Sequence, residues 1–341
     1  MTLASLGWRP CFARQFLDFP GLIPGRICLA ERGRFRLWTE SGVHDASPSG
    51  NLRASTTIWP VTGDWVAYNP SGTIEAILDR ETVLQRKQPG KPSGEQVLAA
   101  NLDVLFVVTS LDHDYNLRRL ERYLILARQG GIRPVVVLNK ADLHPDPASV
   151  AAEVRTLGDD LAILTISAQN AQGLDGLHAF CGPGQTAALA GSSGVGKSTI
   201  VNQLMGTALQ HTQAVRAHDS RGLHTTTHRE LFQLPQGWLL MDLPGIRELQ
   251  LQSTITSIET VFEDILLAAR KCRFRDCRHQ GEPGCAVAKT IAPARLASFH
   301  KLQAEVQSAA KETDLAAALL EKKRIKAIHK AMRTQPKDED E

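Results

Sequence analysis

Apolar and polar positions change rhythm along this chain. From Gly25 to about Arg86 they come in short runs: Phe35 and Leu37 alternate with Arg34 and Arg36, Trp65 and Ala67 interleave with Val66 and Tyr68, and Ile74, Ala76 and Leu78 follow. Turn formers at Ser47–Gly50, Thr62–Asp64 and Asn69–Gly72 separate these runs. Short strands at such spacing predict a small all-β unit, read here as a five-stranded barrel of the OB type. Residues 1–20 lack a clean period and read as an extended arm. Gln88–Gly94 is a linker by composition. Beyond it, buried-strand patterns at Val104–Val108, Pro134–Leu138, Ala162–Ile166, Thr186–Ala190 and Trp238–Met241 alternate with helical ones, such as Leu117, Leu120, Tyr123, Leu124 and Ala127. That alternation predicts a parallel α/β sheet. From about residue 255 the pattern is helical again.

The α/β stretch carries a phosphate-binding signature. Gly191-Ser192-Ser193-Gly194-Val195-Gly196-Lys197-Ser198 follows the strand ending at Ala190, and Thr199 continues into a helix through Ile200, Val201 and Leu204. Glycines let backbone N–H groups turn inward around phosphates, and the helix N-terminus adds its positive dipole end. Lys197 is expected to reach the β- and γ-phosphates and the Ser198 hydroxyl to ligate Mg²⁺. Asp242-Leu243-Pro244-Gly245 follows another apolar run, where Asp242 can support the metal and Gly245 leaves an amide free for the γ-phosphate.

Base choice is read from Asn139-Lys140-Ala141-Asp142, which follows the strand Val135–Leu138. A carboxylate at Asp142 can accept from both N1–H and the 2-amino group of guanine, and adenine would leave it underpaired. Asn139 can orient the loop, the Lys140 stem can cover the base face, and Ser167-Ala168 can offer an amide to guanine O6. Between Lys197 and Asp242, the stretch Gly222-Leu223-His224-Thr225-Thr226-Thr227 could close over Mg²⁺, with Thr226 as the expected ligand. Ile246 stands where signalling GTPases place a water-orienting glutamine, so intrinsic hydrolysis should be slow and partner-dependent. His224 is a candidate for orienting that water.

These motifs run base, base, phosphate loop, switches. Ordinary small GTPases run phosphate loop first, so the domain reads as circularly permuted.

Cys272-x4-Cys277-x-His279-x5-Cys285 supplies three thiolates and an imidazole, a closed set for one structural Zn²⁺. Cys11, Cys28 and Cys181 are scattered, and six cysteines in 341 residues are too few for a disulfide scaffold. Net charge is only +3, so basic character is local: Lys271, Arg273, Arg275 and Arg278 around the cluster, and Lys322 to Arg333 before an acidic tip at Asp338–Glu341. No apolar run approaches the ~20 residues of a membrane span, and Arg9, Arg14 and Asp18 break any signal-peptide core. The expectation is a cytoplasmic protein.

Taken in order, these residues closely resemble the RsgA family of circularly permuted GTPases that depend on the small ribosomal subunit. The resemblance spans nearly the whole chain, including Val61-Thr62-Gly63-Asp64-Trp65-Val66 and Ala100-Asn101-Leu102-Asp103. Leu243 departs from the threonine the family often carries. The resemblance implies a late assembly factor of the 30S subunit, a monomer that binds 16S rRNA and hydrolyses GTP to GDP and phosphate when stimulated. Expected boundaries are an arm (1–20), an OB-type barrel (21–92), the permuted GTPase domain (93–254) and a helical zinc-binding domain with a basic tail (255–341). Two alternatives stay open on the residues alone: a phosphate-loop phosphotransferase, and a zinc-containing RNA-binding module that does not turn nucleotide over.

Overall fold

A computed structural model describes residues 1–31, 33–55, 58–87, 95–206, 229–243, 258–259, 261–308 and 311. Five strands form the barrel: β1 (Ile23–Glu31), β2 (Arg34–Thr39), β3 (Gly42–Pro48), β4 (Trp65–Asn69) and β5 (Thr73–Ile77). They hydrogen-bond in the order β1-β2-β3-β5-β4, and β4 returns to β1. Strands β3 and β5 are parallel, and a short helix, Gly50–Ser55, lies in the β3–β4 connection. This closed five-stranded order is that of the expected OB-type barrel. Ile27, Phe35, Leu37, Val66, Tyr68 and Ile74 fill its interior.

On β2 the alternation is as read, with Phe35 and Leu37 buried and Arg34 and Arg36 exposed. On β4 all four residues Trp65 to Tyr68 are buried. The N-terminal residues cover its outer face, and they are not an extended arm. Ala4–Leu6 make a 3₁₀ turn and Pro10–Phe16 form a helix, α1. Pro10 sits in its first turn, where a missing N–H costs no intrahelical bond. Trp8 and Phe12 lie 4.7 and 6.0 Å from the Trp65 ring, centroid to centroid. Leu3, Leu6, Trp8, Phe12 and Phe16 join the core from a turn and a helix in succession, so no single period runs through them.

Strands β6 (Val83–Lys87) and β7 (Glu95–Ala100) pair antiparallel. The run Gln88–Gly94, read as a linker, lies outside the described residues. Then come β8 (Val104–Ser110), β9 (Arg133–Asn139), β10 (Ala162–Thr165), β11 (Thr186–Ala190), β12 (Arg229–Gln233) and β13 (Leu239–Asp242). Five of these form a parallel sheet, β10-β9-β8-β11-β13. Every residue of β8 and β11 is buried, as expected for strands covered on both faces.

A further strand connects this sheet to the barrel. β12 pairs antiparallel with β13 on one edge and with β1 on the other, matching Leu29 with Glu230 and Ala30 with Arg229. Arg26 reinforces the join from a buried position. It donates to the Thr186 hydroxyl at 2.8 Å, to the Asn101 carbonyl at 3.2 Å and to the Leu6 carbonyl. Thr62 donates its hydroxyl to the Arg229 carbonyl at 2.9 Å. Buried Asp64 accepts two bonds from Arg80, at 2.7 and 2.8 Å.

Two later helices bracket the cysteine cluster, Glu263–Ala269 and Val287–Thr290, and residues 293–308 are helical. This part docks on the helix Leu117–Gln129 through Arg295, which donates to Glu121 at 2.9 Å and to Asp264 at 2.8 and 2.9 Å. The basic stretch 322–333 and the acidic tip lie outside the described residues. Among the described residues no helix is long and apolar enough to cross a membrane.

Candidate nucleotide and metal sites

Parallel strands bring the motifs to one edge. β10, β9, β8, β11 and β13 end at neighbouring positions, so the loops that follow them share the carboxyl edge of the sheet, where α/β proteins bind ligands. Gly191–Ser198 follows β11, Asp242 ends β13, Asn139–Asp142 closes β9, and Ser167-Ala168 follows β10.

The phosphate loop has glycine where no other residue fits. A Cβ on Gly191 would stand 2.2 Å from the Val108 carbonyl oxygen, and one on Gly196 would stand 2.2 Å from the Asn139 side-chain nitrogen. Both also have positive φ, +150° and +96°. Gly194, with φ +83°, turns the loop between them. Val195 is buried beneath the loop, while Ser193 and Gly194 are exposed. A helix starts at Lys197 and runs to Met205, burying Ile200 and Leu204 and leaving Ser198 exposed at its mouth, next to half-buried Thr199. Lys197 Nζ donates to the carbonyls of Gly191 (2.7 Å) and Ser192 (2.5 Å), which places the ammonium at the loop itself. Burial raises the Asp242 carboxyl pKa; Lys197 opposes that shift and Glu230 adds to it. Leu243 is buried in the core, which accounts for an apolar residue at that position.

Asn139 joins three of these loops. Its buried side chain donates to the Val195 carbonyl in the phosphate loop at 2.8 Å and accepts from the Ala168 amide at 2.9 Å. Ala141 donates its amide to the Ile166 carbonyl, and Asp142 beside it is exposed. The Ser167 amide is bonded to the Gln172 carbonyl. Both amides expected to face guanine O6 are thus engaged within the protein, and Gln169 carries the next one.

Asp112 was not singled out in the sequence. It lies two residues past β8, and its carboxylate accepts from Lys140 Nζ at 2.8 Å, from the Ser110 hydroxyl at 2.8 Å and from the Asp114 amide at 2.9 Å. Burial opposes its ionisation, but these donors outweigh it and hold the carboxyl well below the usual range. The available signal was its place: β8 and β9 pair Ser110 with Asn139, so the residues just beyond both must meet.

Thr226, His224 and the rest of Gly222–Thr227, with Gly245 and Ile246, lie outside the described residues.

The cysteine cluster fits a tetrahedral metal. The donor atoms of Cys272, Cys277, His279 and Cys285 lie within 4.8 Å of one another. His279 Nδ1 is 3.7 Å from Cys272 Sγ and 3.5 Å from Cys285 Sγ, and those two sulfurs are 4.0 Å apart. Ordinary Zn–S and Zn–N bond lengths give tetrahedron edges of about 3.6 Å for S–N and about 3.8 Å for S–S. Amides of Val287 and Ala286 lower the Cys272 thiol pKa against the effect of burial, the Ala286 N–H lying 3.3 Å from Sγ. Lys271, Arg273, Arg275 and Arg278 are exposed around this knuckle, as expected.

The family model described as RsgA GTPase matches residues 77–252. A "small ribosomal subunit biogenesis GTPase RsgA" of Opitutus terrae is 42% identical, covering 99% of both chains. One of the same name from Methanosarcina acetivorans is 40% identical over 94% of this chain and 90% of its own. Among solved structures, YjeQ from Thermotoga maritima superposes with a TM-score of 0.62 at 25% identity, covering 84% of this chain and 98% of that one. YloQ, described as a circularly permuted GTPase, gives 0.58 at 24% identity, over 84% of this chain and 96% of its own, a likeness of fold. Matched by the family model over half its length and by these relatives over nearly all of it, this chain belongs to the RsgA family of GTPases.

Proposed function

We propose that this protein hydrolyses GTP to GDP and phosphate as a late assembly factor of the 30S ribosomal subunit. In this reading it binds 16S rRNA as a cytoplasmic monomer and turns over quickly only on the subunit. The observation that carries the nucleotide part is the Asn139 bridge, which locks the base-reading loops to the phosphate loop in one arrangement. Asp142 then reads the guanine edge, and the Lys140 stem covers its face. Lys197 exchanges its two loop carbonyls for phosphate oxygens, and amides of Gly191–Thr199 face the phosphates. Ser198 and Asp242, with Thr226 from the first switch, would hold Mg²⁺, which would supply neutralising charge to the phosphates. Gly245 would turn its amide toward the γ-phosphate. With Ile246 unable to orient water, His224 or the subunit completes the site. Cys272, Cys277, His279 and Cys285 would hold one Zn²⁺ as a closed four-ligand set, which would serve to fold its surroundings.

The RNA part rests on the relatives' name, on the OB-type barrel and on the basic surface of the knuckle. The experiment is GTP turnover with and without 30S subunits at physiological salt, with Asp142→Asn as the base-specificity control. Stimulation by orders of magnitude is expected. Rapid turnover by the protein alone, unchanged by subunits, would sink the partner-gated mechanism.

A further inference from the structure

The ion pair beside the base-reading loop points to a residue outside the guanine motifs. We infer that Asp112 is a positioning residue of the nucleotide site, anchoring the Lys140 ammonium so that the lysine stem is laid across the base before nucleotide arrives. This rests on the guanine reading proposed above.

Lys140 occupies a left-handed backbone conformation, φ +60°, at the point where β9 gives way to a 3₁₀ turn. A lysine side chain has four rotatable carbons, and fixing them costs entropy that any contact with the base would have to offset. Here one end is already fixed. The ammonium is 2.8 Å from Asp112 Oδ2, with the lysine side chain 30% and the aspartate 17% exposed. Asp112 is itself immobilised at the other oxygen by Ser110 and the Asp114 amide. The Leu111 amide donates to the Asn139 carbonyl at 2.8 Å, so the two strand ends are tied at the backbone as well. An anchor, a fixed partner and a stem between them make a preorganised wall, and preorganisation raises affinity by lowering the ordering cost of binding. The contact involves the face of the base and not its hydrogen-bonding edge. It should therefore set how long any purine of the right shape stays, and leave the choice among guanine analogues to Asp142.

The test measures binding and release of a fluorescent GDP analogue on the full-length, zinc-loaded protein. Asp112→Asn keeps the shape and an acceptor oxygen but removes the charge; Lys140→Met keeps the stem and removes the ammonium. Each should weaken GDP by about tenfold, the scale of one charge-assisted contact, mainly through faster release. Asp112→Asn should add nothing in a Lys140→Met background, and the ratio of GDP to inosine diphosphate affinity should stay at the wild-type value. Wild-type affinity in Asp112→Asn overturns the inference, as does an undiminished loss in the Lys140→Met background. Asp142→Asn separates the two levels. If it fails to shift preference from guanosine to xanthosine diphosphate, the guanine reading falls and takes this inference with it. If it shifts preference while Asp112→Asn is silent, only the anchor is wrong.

Discussion

Removing the Asn139 side chain should uncouple the nucleotide loops while leaving the fold in place. In Asn139→Ala, the Val195 carbonyl and the Ala168 amide each lose a partner, formerly at 2.8 and 2.9 Å. Both residues are 1% exposed, and Asn139 itself is 2% exposed, so solvent reaches these groups only if the loops separate. An unsatisfied buried backbone group costs about 1–3 kcal/mol, giving a combined ceiling of about 6 kcal/mol. Loop separation that admits water recovers part of this, leaving about 2–4 kcal/mol. The penalty should be expressed in binding, because what is lost is the alignment of three loops at the sheet edge and not the strands beneath them. That range corresponds to a GDP affinity lower by about 30- to 1,000-fold. Asn139→Asp is the sharper partner experiment. Its carboxylate still accepts from Ala168 but now faces the Val195 carbonyl without a proton to offer, so it should be at least as damaging as alanine. Isothermal titration with GDP, alongside thermal unfolding, reads both. Alanine variant affinity within threefold of wild type would refute the claim that this side chain holds the site together.

Chelating the metal, or Cys285→Ser, should release about one zinc per chain and open residues 262–308 to trypsin, while GDP binding persists because the nucleotide loops lie on another part of the chain. Asp242→Asn should abolish GTP turnover yet raise the melting temperature of nucleotide-free protein at pH 7. The sign follows from burial: a carboxyl whose pKa is raised on folding binds its proton more tightly when folded, so wild-type stability declines as pH rises through that raised value. The advantage of the variant should shrink as the pH is lowered toward 4, which a pH series of melting curves would reveal. Arg295→Met should cost about 3–5 kcal/mol, because it removes one of the donors facing fully buried Glu121. Pairing it with Glu121→Leu should recover most of that loss in denaturant unfolding.

The phosphate loop, the guanine motif and the cysteine cluster were legible because each is a local run whose spacing encodes its geometry. Strand positions were legible for a similar reason: β8 and β11 are continuously apolar because both faces are covered. The N-terminal helix was not, since seven residues are too few to display a period, and its packing target, Trp65, lies about fifty positions away. Nor was the hairpin β6–β7 visible. The Gly- and Pro-rich run at 88–94 carries the same composition whether it links two units or two strands. Asp112 escaped because an aspartate past a strand end is ordinary until the neighbouring strand is known to deliver Lys140 beside it. The long-range contacts of Arg26, Thr62 and Arg295 likewise depend on topology, which no local pattern states.

These contacts also divide the molecule into parts of different rigidity. Barrel and α/β sheet share a backbone ladder through β1 and β12, sealed by Arg26 and by the Thr62 bond to Arg229. Separating them would expose strand edges and a buried guanidinium, so they should move as one body. The zinc-binding part meets this body differently. Its described polar contacts with helix 117–129 include Arg295 and Ser298 with buried Glu121, and Arg122 with Glu305 at 2.6 and 2.8 Å. Arg122 and Glu305 are about one-third exposed, so water or a partner's charges can replace that pair at modest cost. The same helix begins at Asn116, four residues after the aspartate that holds Lys140. A shift of the base-reading loop therefore reaches the zinc-binding part through one helix, where the Arg122–Glu305 pair is exchangeable and the Glu121 contacts are buried, whereas toward the barrel it meets a continuous sheet. Rearrangement linked to nucleotide should be concentrated at the interface with helix 117–129, and the barrel should hold its place.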